Sequence, residues 1–191
     1  MTARTHDVIA FSALVSVAAY FPPENLNIST TFACLVGSVV GALAPDLDQA
    51  TNRLWDMLPA GDYIGKILRG LLLQHRTISH SILGVVVFYK ILQFVIPRLL
   101  NPAYVDPNLV IASVMIGFVS HIVADMFTKE GVPLFFPFPF KVGIPPFKAL
   151  RITTGKFMEN FVIFPSVVLY LIWLVTDKKD ALLKLVELIK S

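Results

Sequence analysis

All four histidines of the 191-residue chain occur near another side chain that binds cations. His121 and Asp125 form the clearest pair, because a spacing of four residues puts an imidazole and a carboxylate on one helix face, about one turn apart. Such a pair can chelate a divalent cation. The alternative is a buried hydrogen bond between the two, but ionisable groups in membrane segments are costly and tend to be functional. We therefore interpret the pair as metal ligands.

A second group of carboxylates, Asp46 and Asp48, follows Pro45 directly. Because proline disfavours the helical conformation of the residue before it, we expect the preceding helix to have ended and the two carboxylates to project from a turn. Either is suited to bridging two metal ions. The alternative is ordinary turn chemistry, since aspartate is a frequent turn former.

The third group is His75 and His80, with Arg76 beside the first of them. At roughly 100° per residue, two histidines five apart cannot share a helix face. We expect His75 to precede a helix that Thr77 or Ser79 caps, which lets both imidazoles face one site. Arg76 is suited to bidentate binding of a phosphate, and equally to anchoring a loop at the cytoplasmic membrane face.

The composition indicates that a membrane surrounds these groups. Hydrophobic residues make up 55% of the chain and charged residues only 15%, against about a quarter in soluble domains, and the mean hydropathy is +0.71. The length fits one domain, residues 1–191. A net charge of +3 does not indicate a direct nucleic-acid partner, because Lys and Arg lie between the apolar runs. The lone cysteine, Cys34, cannot form an intrachain disulfide.

Five apolar runs predict the helices that position the candidate ligands. They cover residues 8–21, 30–45, 80–100, 109–127 and 160–176. A full span takes roughly 20 apolar residues, so the two short runs must tilt little or lie in thinned bilayer. The first run also resembles a secretory signal, but it lacks a clear cleavage site, and we keep it as a span. The predicted fold is all-α: a polytopic membrane bundle of about five spans with one or two interfacial amphipathic helices.

Spans that alternate in direction bring the starts of the first, third and fifth beside the ends of the second and fourth. Every candidate ligand lies at one of these ends. Glu159 opens the fifth span, where its alternative role is to interact with the helix dipole. We predict one metal centre at one membrane face, with these ligands: His6, Asp46, Asp48, His75, His80, His121, Asp125 and Glu159. We predict catalytic roles for Asp46, Arg76 and His80.

The donor types indicate the metal and its chemistry. Imidazole and carboxylate without thiolate favour zinc, with manganese as the alternative, over an iron–sulfur or Cys-zinc centre. Two adjacent metal ions can generate hydroxide near neutral pH and hold the oxygens of a phosphoester during in-line attack.

Loop charges predict the orientation in the membrane. Segments 46–79 and 128–159 are rich in Lys and Arg and should lie in the cytoplasm with the metal site. The lysines of the tail, at 178, 179, 184 and 190, conflict with this assignment if the number of spans is odd. Apolar stripes at 64–72 and 182–189 predict amphipathic helices that lie either at the interface or against the bundle.

The segment from Val132 to Phe147 is too rich in proline for a helix and too apolar for a solvated loop. We expect it to enter the membrane interface. Its two interpretations are a membrane anchor and a guide that leads a lipid, or a lipid-linked phosphate, to the metal site.

Four motifs together resemble a known family: Thr5–His6, Gly41–Asp48, His75–Ser81 and Ser120–Val132. They are similar to those of the YdjM-like family of LexA-binding, inner-membrane-associated hydrolases, also described as membrane-bound metal-dependent hydrolases. The resemblance covers nearly the whole chain. It implies an inner-membrane protein with a divalent-metal hydrolase site.

A more distant likeness is to the zinc-dependent phospholipase C and single-strand nuclease superfamily. That superfamily orders its ligands His, Asp, His, His-x-x-x-Asp and His-x-x-x-Glu, and this chain follows the order up to Asp125. Gly155 stands where the last histidine should precede Glu159, so the resemblance implies that His80 replaces it.

The sequence thus favours a multi-pass inner-membrane hydrolase with membrane lipids as partners, acting on phosphoester bonds in a lipid or lipid-linked substrate. A divalent-metal transporter or sensor is the first alternative, although transporters usually place their ligands near the bilayer midplane among broken helices. A non-catalytic membrane scaffold with a structural metal site is the second.

Overall fold

A computed structural model describes residues 1–47 and 78–190, and within them the chain is helical with no β-strand. Its α-helices are α1 (Ala3–Tyr20), α2 (Ile28–Leu43), α3 (Ile82–Leu99), α4 (Pro107–Met126), α5 (Phe164–Asp177) and α6 (Lys179–Lys190). Short 3-10 turns lie at Ala44–Asp46 and Lys148–Leu150, and a π-helical segment, Met158–Ile163, leads into α5.

Four of these helical segments are long and apolar enough to cross a membrane: Ile28–Asp46, Ile82–Leu99, Pro107–Met126 and Met158–Asp177. α1 has the length, but Arg4, His6 and Asp7 make its first turns polar, and it packs against α2, α4 and α5. α3 and α5 bury few residues and expose large apolar side chains, which need lipid around them. The predicted all-helical membrane bundle of about five spans is confirmed.

The helix starts follow local capping rules. The side chain of Asn27 accepts from the amide of Thr30 at the start of α2, and Asp106 accepts from the amides of Asn108 and Leu109 at the start of α4. For α3 the cap differs from the predicted Ser79. The side chain of Ser81 accepts from the amide of Gly84, so His80 precedes the helix. Thr77, the other predicted cap, lies outside the described residues.

α2 and α4 pack backbone against backbone through small residues. A Cβ atom on Gly41 would lie 2.0 Å from the carbonyl oxygen of Val114, and one on Gly117 would lie 2.1 Å from that of Ser38. Gly37 meets the hydroxyl of Ser113 in the same way. Small residues four apart allow this close approach where lipid, rather than water, surrounds the helices. The α2–α4 pair therefore forms the centre of the bundle.

α6 lies at the end of the bundle where α1 ends and α2 begins. Its Leu188 and Ile189 line a small cavity with Asn25 and Pro102, and its apolar stripe packs over α1 and α2. For the tail this favours the core-facing alternative. The predicted amphipathic helix at 64–72 falls outside the described residues.

The connection from α4 to the π-helical segment is held by single bridges, Thr128 with Ile152 and Val132 with Val142. Between them the chain presents exposed aromatic rings, including Phe138, Phe140 and Phe147. Exposed phenylalanine rings are suited to burial at a membrane interface.

The α2–α4 contact yields a stability prediction. Gly41→Ala adds one carbon where the backbone of α4 leaves no room, and we expect it to lower the free energy of unfolding in detergent by about 1–3 kcal/mol. Val39→Ile adds one carbon at an exposed position of the same helix and should leave thermal unfolding nearly unchanged. Equal stability of the two variants would contradict the close packing.

Candidate metal centre

The alternating helices bring five of the predicted ligands to one end of the bundle. His6 lies in the first turns of α1, Asp46 in the 3-10 turn after α2, and His80 in the turn before α3. His121 and Asp125 lie in the last turns of α4. Two overlapping groups, His6–His121–Asp125 and Asp46–His80–His121, each bring their ligand atoms within 4.8 Å of one another. We call these five residues the metal cluster.

Four members of the cluster bring imidazole nitrogens close to carboxylate oxygens. The His80 Nε2 atom lies 3.5 Å from Asp46 Oδ1 and 3.7 Å from Asp125 Oδ2. The His121 Nε2 atom lies 3.7 Å from Asp46 Oδ2 and 3.7 Å from Asp125 Oδ2. Ligand distances of 2.0–2.2 Å place neighbouring ligand atoms around a tetrahedral zinc ion about 3.4 Å apart. The four imidazole–carboxylate distances are thus close to the separation of ligands that share one zinc ion.

The backbone of α2 orients His121. The His121 Nδ1 atom lies 2.6 Å from the carbonyl oxygen of Ala42, to which only a protonated Nδ1 can donate. The lone pair is then on Nε2, which faces Asp46 and Asp125. Such a second hydrogen bond fixes the tautomer of metal-binding histidines in general. His80 has a comparable neighbour, since its Nδ1 lies 3.0 Å from the hydroxyl of Ser79.

His6 extends the cluster on the other side of Asp125. Its ring stacks on that of His121 with centroids 3.7 Å apart and planes 6° from parallel. Its Nε2 atom lies 3.2 Å from Asp125 Oδ1, to which the amino group of Met1 also donates. The two oxygens of Asp125 therefore face different donors: His6 on one side, His80 and His121 on the other.

Burial and the lack of hydrogen-bond partners both favour a cation in the cluster. The side chains of His6, His80, His121 and Asp125 are at most 2% exposed, whereas that of Asp46 is 23% exposed. Among the described residues, the buried atoms His121 Nε2 and Asp46 Oδ1 have no hydrogen-bond partner. Buried polar atoms without partners are costly, and a cation bound between them removes that cost. The residues present thus fit a divalent metal ion.

Glu159 lies apart from both ligand groups. Its carboxylate is buried and accepts hydrogen bonds from the amide and hydroxyl of Thr2, at 2.6 and 2.7 Å, and from the amide of Gly155, at 2.7 Å. Gly155 has a φ of +71°, which favours glycine. The position where the distant superfamily has a histidine is thus a left-handed turn that donates to Glu159. In this structure Glu159 ties the start of α1 to the π-helical segment.

The sequence analysis did not predict the hydrogen-bond partners of His121 and Glu159. Three predicted site residues lie outside the described part of the chain. The carbonyl of Ala42 carries no side-chain signal, although the small residues around it indicate close packing. Nothing in the sequence indicated that Thr2 would donate to Glu159. Asp48, His75 and Arg76 are not among the described residues.

The fold and the cluster together define a class: an all-helical membrane protein with a candidate metal centre at one end of its bundle. More specifically, the chain belongs to the YdjM inner membrane protein family, whose model matches residues 1–181. It is 28% identical over 163 residues to a protein of Bacillus subtilis named uncharacterized protein YvsG, which covers 85% of this chain and 88% of that protein.

Over 169 residues the chain is 27% identical to the inner membrane protein YdjM of Escherichia coli, covering 85% of this chain and 77% of that one. The YdjM protein of Shigella flexneri matches to the same extent. No solved structure matches the chain.

The geometry predicts which carboxylates hold metal. Asp125→Asn should weaken zinc binding by more than the roughly 10–100-fold that is typical of losing a residue that only hydrogen-bonds to a ligand. The purified variant should therefore retain little zinc. Asp106→Asn is the matched control, because Asp106 caps the opposite end of the same helix. Metal analysis after dialysis measures both. Equal zinc content in the two variants would show that the cluster does not hold the metal.

Proposed function

We propose that the protein is a membrane-bound, metal-dependent hydrolase of phosphoester bonds in a lipid or lipid-linked substrate. The observation that carries this proposal is the group formed by His80, His121, Asp46 and Asp125, whose imidazole nitrogens lie 3.5–3.7 Å from carboxylate oxygens and of which only Asp46 is partly open to solvent. A closed structural zinc site keeps all its ligands saturated and buried, whereas catalytic sites keep an accessible position.

His80, His121, Asp46 and Asp125 would hold one divalent cation, with zinc favoured and manganese the alternative. The oxygen of Asp125 that faces His6 would share a second cation with that histidine once the cation replaces the Met1 amino group, which donates to this oxygen here. A metal ion bound there would supply Lewis acidity and would lower the pKa of a coordinated water to about 7.

Asp46 is the residue of the cluster best placed to move a proton. It is the most exposed of the four donors, and its Oδ1 has no hydrogen-bond partner among the described residues. We propose that Asp46 acts as the general base and accepts the proton of the attacking water. The water oxygen bonds to phosphorus as the ester P–O bond breaks, and Asp46 returns the proton to the leaving oxygen, so that the alcohol departs neutral and Asp46 is ionised again. In this proposal the catalytic role of His80 is to hold the metal ion. Arg76 keeps its predicted role of binding the phosphate.

The active face is proposed to be cytoplasmic. The connection from α4 to the π-helical segment lies at the end of the bundle that holds the cluster and carries Lys129, Lys141, Lys148, Arg151 and Lys156. Among these, Arg151 donates to the carbonyls of Pro145 and Pro146, so it supports the connection itself. The lysines of α6 lie at the opposite end and oppose this orientation.

The two alternatives have less support. A transport site should lie near the middle of the spans, between broken helices, whereas the cluster lies at helix ends. A scaffold would not need a partly exposed Asp46 carboxylate beside three buried imidazoles.

Turnover separates these functions. With zinc or manganese supplied, the purified protein should hydrolyse bis(p-nitrophenyl) phosphate or a phospholipid in mixed micelles, and Asp46→Asn should lower the rate by about 100-fold or more, as for loss of a general base. Glu130→Gln changes an exposed carboxylate at the same end and should retain the rate. Bound metal without turnover on either substrate would count against a hydrolase, and metal uptake by proteoliposomes would favour a transporter.

A further inference from the structure

An apolar groove of about 780 Å³ runs beside the metal cluster, between α4, α1 and the π-helical segment with α5. Its floor is a stripe of α4 that includes Ala112, Val119 and Val123, and its walls include Ile9 and Val167. Among the described residues that line it, the only polar side chain is that of Ser120, whose hydroxyl donates to the carbonyl of Gly117 in its own helix. The described lining is therefore almost entirely apolar.

The groove has the length of one membrane leaflet. It follows α4 from Ala124 to Ala112, which is about 18 Å at a rise of 1.5 Å per residue. Half of a hydrocarbon core of roughly 30 Å is about 15 Å. A ligand in the groove thus extends from the level of the metal cluster to about the middle of the bilayer.

The groove is also narrow. Its volume spread over that length gives a cross-section of about 40 Å², roughly half that of an α-helix 10 Å across. A hydrocarbon chain fits inside such a section, whereas a partner helix would only cover the open side of the groove.

One end of the groove is lined by residues next to the cluster. Ala124 lines it and directly precedes Asp125, and Met1, which also lines it, donates from its amino group to Asp125 Oδ1. The far end, at Ala112 and Ile116, adjoins a second apolar cavity between α1, α2, α4 and α6. A lipid whose chain lies in the groove therefore has its headgroup at the cluster.

We propose that this groove binds one acyl chain of a glycerophospholipid and presents the phosphate of its headgroup to the metal cluster. An acyl chain matches the length of a single leaflet, whereas a long polyprenyl chain exceeds it. That the bound lipid is a substrate rests on the proposed function, but the binding itself is testable without turnover.

The test uses the full-length protein in nanodiscs containing phosphatidylglycerol with a photoreactive diazirine in one chain. A diazirine at the methyl end should label the peptide that contains Ala112 and Met115, and one beside the ester should label Val123 and Phe127. Mass spectrometry locates the adducts. This dependence on depth is expected both with and without zinc.

Ala112→Trp fills the deep end of the groove and should reduce labelling by the methyl-end probe about tenfold, as for loss of a well-packed contact. Val86→Trp, at an exposed position of α3, is the matched control and should not change it. Labelling by the ester-end probe serves as the folding control, because a misfolded variant would lose both signals. If Ala112→Trp misfolds, Ala13→Trp replaces it, since Ala13 lines the groove from α1.

Equal labelling of α3 and the groove would show surrounding lipid only and would overturn the proposal. Preferential labelling by a polyprenyl phosphate probe would overturn the acyl assignment. Depth-dependent labelling without hydrolysis of any phosphoester would support lipid binding in the groove and count against the hydrolase. Hydrolysis without labelling of the groove would support the hydrolase and overturn lipid binding in the groove.

Discussion

The contact between α2 and α4 is the constraint on which the metal cluster depends. Because Gly41 and Gly117 lack side chains, the two backbones come close enough for the carbonyl of Ala42 to accept from His121 Nδ1. The same contact places the turn at Asp46 beside the last turns of α4. A wider separation of the helices would remove the hydrogen bond and move Asp46 away from both of its histidines. Packing in the apolar part of the bundle thus determines the geometry of its polar end.

The polar end of the bundle is costly to form, and hydrogen bonds outside the metal cluster hold its members in place. Three buried imidazoles and two carboxylates lie together at a helix end, where desolvation opposes charge and unpaired atoms are unfavourable. Glu159 fixes the start of α1 through Thr2, and Ser81 fixes the turn that carries His80. These hydrogen bonds lie outside the cluster and hold its members in place, which leaves donor atoms directed at a cation rather than at one another.

The sequence predicted the spans well, since apolar runs between prolines and charged loops are a strong signal. It also brought His6, Asp46, His80, His121 and Asp125 to one end, because alternating helices leave no other arrangement. It did not distinguish Glu159 from these residues, since a carboxylate at a helix start has the same pattern whether it binds metal or a neighbouring backbone. Ser81 was missed as the cap because Thr77 and Ser79 are equally good formers of helix starts, and the choice depends on tertiary contacts.

The most direct test of the account is the zinc absorption edge of the purified, zinc-loaded protein, analysed for the atoms that surround the metal. Coordination by imidazole rings and carboxylates requires a shell of about four nitrogen and oxygen atoms at about 2.0–2.2 Å, with outer scattering from two or more imidazoles. A shell that contains sulfur, or one made of water oxygens without imidazole scattering, would contradict the assignment of His80, His121, Asp46 and Asp125 as the ligands.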